Sequence, residues 1–118
     1  MFINFTNHPS SAWNEVQIAA ARSYGEITDL PFPSVPPEAD EQEASLIAQE
    51  HAATIIAMQP KAVLVQGEMS VCFRVVELLK KAGVNVLCAT TERCSVQEEV
   101  NGETIKRSVF RFVKFRGY

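Results

Sequence analysis

No apolar run in the chain is long enough to cross a bilayer. The opening Met1-Phe2-Ile3-Asn4-Phe5 lacks the basic region and extended apolar stretch of a secretory leader. The expectation is a cytoplasmic protein with no membrane partner. Cysteine is scarce: Cys72, Cys88 and Cys94 are odd in number and form no C-x-x-C pair, so neither a disulfide framework nor a zinc site is indicated. Cys72 and Cys88 sit in apolar segments as packed thiols, and Cys94 too is expected to serve as a small apolar residue, with a reactive thiol as the alternative. Histidine is scarcer still, and His8 and His51 lie far apart, so no metal and no cofactor are expected. Neither G-x-G-x-x-G nor the P-loop pattern occurs, which argues against dinucleotide dehydrogenases and P-loop ATPases. Basic residues are nearly missing from the first half. Residues 1–60 hold one, Arg22, against eight acids, while residues 103–118 hold Lys106, Arg107, Arg111, Lys114 and Arg116 against Glu103. Such asymmetry suggests either an acidic partner for the basic end or a solvated strand face.

The composition, 47% hydrophobic and 21% charged over 118 residues, fits one ordinary globular domain spanning residues 1–118. Its organising stretch is Ala62-Val63-Leu64-Val65-Gln66-Gly67-Glu68. Pro60 ends what precedes it, four apolar residues follow without a polar break, and a glycine turn leads into a helical pattern. A strand covered on both faces, turning directly into a helix, belongs to a parallel α/β sheet. In such sheets ligands sit beyond the carboxyl ends of the strands, where the strand order reverses.

The other elements agree. Phe2–Phe5 forms a first strand. A helix follows, capped by Ser10 or Ser11, carrying Trp13, Val16, Ala20 and Tyr24 near one face and ending at Gly25. Glu26–Leu30 forms a second strand. Four prolines in residues 31–37 enforce a stiff loop that Phe32 and Val35 pin to the body. Asp40 with Glu43 opens a helix that ends before Pro60, and His51 on its apolar face is a packed histidine. A third helix runs from about Glu68 to Ala82, with Gly83 beyond its end. Val84–Ala89 forms a fourth strand, stopping at Thr90-Thr91-Glu92-Arg93. Two extended runs, Cys94–Val100 and Glu103–Phe115, flank Asn101-Gly102, a type I′ hairpin signal. Right-handed crossovers place the strands 2-1-3-4 with the hairpin beside strand four. The fold expected is a small Rossmann-like, three-layer α/β fold with a mainly parallel sheet.

Three polar clusters end three neighbouring strands and should meet at one edge. In the first, His8 has the chemistry of a general acid or base. Asn7, Ser10 and Ser11 would bind ligand, the serines and the helix N–H groups holding a phosphate, or the serines would serve only as caps. In the second, Gln66, Gly67 and Glu68 would bind ligand: Gly67 permits close backbone approach, and Glu68 either takes a ribose hydroxyl or base or only offsets the helix dipole. In the third, Thr90 and Thr91 would bind ligand, and Arg93 would hold a phosphate or pair with a nearby carboxylate.

The segment Ile3-Asn4-Phe5-Thr6-Asn7-His8-Pro9-Ser10, with Trp13 and Gln17 after it, resembles the small CARF-like accessory proteins of type III CRISPR systems, which begin with a strand of the form I-N-F-S-H-P. Gln66-Gly67-Glu68 and Ala89-Thr90-Thr91-Glu92-Arg93 fit the same sheet. Two departures stand out: Thr6-Asn7 replaces a single serine, and a proline-rich loop follows the second strand. The resemblance implies a homodimer that binds a cyclic oligoadenylate across its twofold axis and takes no long nucleic acid. Some members of that group are metal-independent ring nucleases, in which a ribose 2′-hydroxyl attacks the adjacent phosphate; were that so here, the chemistry and placement of His8 and Arg93 make them the expected catalytic residues. Other members of such a group only sequester the ring. A scaffolding module with a basic hairpin and an unrelated small hydrolase are the competing classes.

Overall fold

Phe2, Ile3, Asn4 and Phe5 are all buried although a strand points its side chains alternately to opposite faces. Only a strand with cover on both faces permits this. In the computed structural model, which describes residues 1–118, this strand (β1, Phe2–Phe5) lies between β2 (Ile27–Asp29) and β3 (Ala62–Val65), parallel to both. β4 (Val86–Val100) runs parallel to β3, and β5 (Glu103–Gly117) runs antiparallel to β4. The five-stranded sheet has the order β2-β1-β3-β4-β5, so the first four strands take the arrangement that right-handed crossovers require.

Three helices, α1 (Glu15–Arg22), α2 (Glu41–Met58) and α3 (Met69–Lys81), divide between the two faces. Ile3, Phe5, Val63, Val65 and Val86 pack against α2 and α3 through Ala48, Ile55, Val71, Val75 and Leu79. Phe2, Leu64 and Leu87 face the other way, toward Ala21 of α1 with Trp13 and Tyr24. His51 packs as expected: its ring lies 5.6 Å from that of Phe5, and Nδ1 sits 2.8 Å from the Ile47 carbonyl oxygen. No helix is long and apolar enough to cross a membrane.

The start of α1 differs from the expectation. Ser10–Ala12 forms a short 3₁₀ turn, and the cap is Asn14, whose side chain accepts from the Gln17 N–H at 2.9 Å. Asn14 and Gln17 have the three-residue spacing of a capping box, whereas neither serine caps α1. Asp40 caps α2 as expected, accepting from the Glu43 N–H at 2.8 Å. The proline-rich loop is fixed by Phe32, which is buried, and by Val35 packed beside it.

The larger correction concerns strand four. Thr90–Arg93 is not a loop: β4 continues through it to Val100, so the expected fourth strand and the first arm of the hairpin are one element. β3 pairs with β4 only at Val86 and Leu87, but β5 pairs with β4 along its whole length. Polar residues are tolerated beyond Leu87 because the two-stranded arm meets solvent on both sides, and β-branched Thr90 and Thr91 suit the extended backbone. The ladder is irregular at Thr90/Thr91, where the Thr90 hydroxyl donates to the Lys114 carbonyl (3.0 Å) and accepts from the Lys114 N–H (3.2 Å). The hairpin turns at Asn101 (φ 53°) and Gly102 (φ 79°), the two positive angles that a type I′ turn requires.

Candidate functional site

β1 and β3 end at one edge of the sheet, β4 runs on past it, and a cleft of about 490 Å³ opens there on the α1 side. Its floor includes Leu64 and Ala89. The loop after β1 supplies Thr6 and His8, and the entry to α1 supplies Trp13, Asn14 and Gln17. The turn after β3 supplies Gln66, and the hairpin supplies Thr91, Phe110 and Phe112. No aspartate, glutamate, lysine or arginine lines it.

A buried polar cluster holds the loop of His8 in place. Asn4, 1% exposed, donates from Nδ2 to the His8 carbonyl (2.8 Å) and to Asp29 Oδ1 (2.9 Å). The Thr6 hydroxyl donates to Asn4 Oδ1 (2.8 Å) and accepts from the His8 N–H (3.0 Å). A buried polar side chain costs stability unless its hydrogen bonds are made, and these are made. The effect is to fix the backbone of residues 4–8 while the imidazole remains exposed at the cleft.

Two carboxamides in the cleft are oriented by the backbone. Gln66 Oε1 accepts from the Ala89 N–H at 3.0 Å, and Asn14 Oδ1 accepts from the Gln17 N–H. Only oxygen can accept from a peptide N–H, so the NH₂ end of each side chain is the end left for a ligand.

Of the residues singled out from sequence, His8, Gln66 and Thr91 come together in this cleft. Arg93 lies on the same face of the hairpin one row further out: in β4 the side chains of Leu87, Ala89, Thr91 and Arg93 share a face, and Arg93 pairs with Phe110. Its Nε donates to the Ser108 hydroxyl at 3.1 Å. Thr90 belongs to the opposite face. Asn7 is exposed and does not line the cleft. Ser10 and Ser11 border a separate groove beside Arg22 and Glu26. The Ser10 N–H and hydroxyl are already engaged by the Asp29 carboxylate at 3.2 and 3.1 Å.

Gly67 and Glu68 serve the protein itself. A Cβ on Gly67 would sit 2.5 Å from the Phe32 ring, so what approaches this backbone closely is an aromatic side chain. Glu68 caps α3, accepting from the Ser70 N–H and hydroxyl and from the Val71 N–H. The Ser70 hydroxyl, followed by these N–H groups, holds its carboxyl below the usual carboxylate range. The reading of Glu68 as a helix-dipole residue is the one that this geometry matches. Beyond Gly67, toward α3, lies a second and largely apolar depression with Met69, Phe73 and Tyr118. The Tyr118 hydroxyl donates to the Val65 carbonyl at 2.7 Å, and burial raises its pKa.

Sequence reasoning did not single out Asn14, Phe110 or Phe112. The signals were present: Asn14 and Gln17 form a capping pair, and Phe110 and Phe112 alternate within a strand. No three His, Cys, Asp or Glu side chains gather into a group that could hold a metal ion.

The fold and cleft thus define a mixed α/β protein with an aromatic- and amide-lined site at the carboxyl edge of its sheet. The chain matches the model of the uncharacterized protein MJ1673 family over residues 1–116 and belongs to that family. No curated protein and no solved structure matches it.

Proposed function

We propose that this protein is a cytoplasmic, Rossmann-like homodimer that binds a cyclic oligoadenylate and opens the ring without a metal, quenching type III CRISPR signalling. The observation that carries the reading is the cleft at the strand-order reversal between β1 and β3, with an exposed histidine, hydrogen-bonding amides and aromatic side chains. In the reaction, a ribose 2′-oxygen bonds to the adjacent phosphorus and the bond from phosphorus to the 5′-oxygen breaks. The 2′-hydroxyl proton passes to His8 and then to the departing 5′-oxygen. Arg93 balances the negative charge that builds on the phosphoryl oxygens.

A second reading, binding without cleavage, is favoured by one feature. The serines expected to hold phosphate are turned away from the cleft, and Ser10 is already bound to Asp29. Incubation with cyclic tri-, tetra- and hexa-adenylate in EDTA, with affinity and single-turnover rate both measured, separates the two. His8→Ala should lower turnover more than affinity, because proton transfer acts only as the reaction proceeds. Arg93→Ala should weaken both, with a rate loss on the order of a hundredfold. Folded variants that bind and cleave like wild type would remove the assignment, and activity that needs Mn²⁺ would remove the mechanism.

A further inference from the structure

No aspartate, glutamate, lysine or arginine lines the cleft, yet a cyclic oligonucleotide carries one negative charge per nucleotide. We infer that the cleft is a nucleobase subsite that recognises an uncharged nucleoside, with the phosphodiester held outside it. The inference rests on the nucleotide-binding reading above and assigns which part of the ligand enters.

Three observations support it. The first is the lack of lysine and arginine in the lining, since a phosphate pocket in water is built from cations or from clustered N–H groups. The second is the pair of tethered carboxamides. Gln66 and Asn14 each use their oxygen on a backbone N–H, so both are left as fixed NH₂ donors. Two fixed donors without a carboxylate beside them favour a ring edge rich in acceptors, such as N1, N3 and N7 of a purine. The third is the aromatic content. Trp13, Phe110 and Phe112 line the same cleft, and Phe110 is 69% exposed, a large apolar surface available for stacking on a base. The nearest cation on this face is Arg93, in the row beyond Thr91. It stands where a phosphate emerging from the cleft would pass.

Trp13 is the only tryptophan in the chain and lines the cleft, so its fluorescence reports occupancy directly. The full-length protein is titrated with adenosine, AMP and ribose 5-phosphate into the millimolar range at low and high salt. Adenosine should perturb Trp13 emission and bind within about threefold of AMP, ribose 5-phosphate should not bind, and salt should change the adenosine affinity little, because no counterions are released. Gln66→Glu and Asn14→Asp keep the oxygen that accepts from the backbone while deleting the NH₂ donor. Each should weaken adenosine about tenfold without lowering the melting temperature. Ribose 5-phosphate binding as tightly as AMP, or both variants binding adenosine like wild type, would overturn the inference. Adenosine binding without any cyclic oligoadenylate binding keeps the base subsite and removes the proposed function. Ring binding without adenosine binding does the reverse, and silence toward every ligand removes both.

Discussion

Replacing Gly67 with alanine should destabilise the protein strongly, and the cause should be Phe32. The added Cβ would stand 2.5 Å from Cγ and Cδ1 of the ring and 2.6 Å from Cδ2. Carbon atoms rest comfortably about 3.5–4.0 Å apart, so the ring must retreat by about 1 Å. It has nowhere open to go: Phe32 is buried, and its ring centroid lies 4.8 Å from that of Phe5 within the core on the α2/α3 side. Overpacking of this kind costs about 1–3 kcal/mol, and complete expulsion of the ring approaches the 3–5 kcal/mol (about) of a phenylalanine deletion. A loss of about 2–4 kcal/mol is therefore expected, a large part of the 5–15 kcal/mol (roughly) typical of a domain, and visible as a melting point roughly 10 °C lower.

The measurement is a double-mutant cycle by urea titration. Phe32→Leu alone should cost stability by leaving a gap, but in its presence Gly67→Ala should be far better tolerated, with a coupling of about 1 kcal/mol or more in the compensating direction. Gly67→Ala within about 0.5 kcal/mol of wild type would refute the reasoning, as would additive behaviour in the cycle. A variant of unchanged stability that has lost ligand binding would instead restore the sequence-based expectation that Gly67 makes room for a ligand.

Two further outcomes test the local chemistry. Glu68→Ala should cost about 1 kcal/mol at neutral pH through loss of the α3 cap. Because folding lowers the Glu68 pKa, its contribution is complete above the ordinary carboxylate range and disappears as the pH falls through the lowered folded value. Urea titrations of wild type and variant should converge on acidification below about 4.5, and a gap independent of pH would refute the assignment. Gly102→Ala forces a side chain onto a φ of 79° and should fray the hairpin tip by about 1 kcal/mol. Amide exchange should quicken around residues 96–107, while the global melting temperature barely moves because the outer arm packs against nothing. A cooperative loss across the whole sheet would contradict that picture.

Much of the fold was legible because hydrophobic pattern and punctuation agree. Ala62–Val65 is apolar throughout and lies inside a parallel sheet, buried at all four positions. Asp40, Pro60, Gly83 and Asn101-Gly102 mark boundaries through local stereochemistry that tertiary contacts do not override. The misreadings occur where local signals compete. Ser10 and Ser11 are good caps, but so is Asn14, and its side chain accepts from the Gln17 N–H three residues on, where α1 starts. Thr90–Arg93 is polar in the manner of a loop, but polarity in a two-stranded arm signals only that both faces are wet. The pairing of β4 with β5 is a long-range property that no short window contains.

The candidate site depended on parity more than on identity. Once β4 is known to continue, the burial of Leu87 against the α1 side fixes every second residue after it: Ala89 and Thr91 line the cleft, Arg93 lies on the same face beyond it, and Thr90 and Glu92 lie on the other face. Reading the strand as ended at Ala89 discarded that alternation and left three polar neighbours looking equivalent. The same alternation sets a length scale for function. Two residues advance a strand by about 7 Å, so Arg93 stands about that far beyond Thr91 along the cleft face, and Lys106, opposite Gln97, stands about 14 Å beyond Arg93. A base seated among Trp13, Gln66 and Phe112 would place its own phosphodiester within the first interval and leave Lys106 to a neighbouring nucleotide or to none. His8 is on the cleft side of that interval and Arg93 on its far side. Cleavage therefore requires one phosphodiester to reach both, and a ligand that seats its base but holds its backbone out toward Lys106 would be bound and left intact.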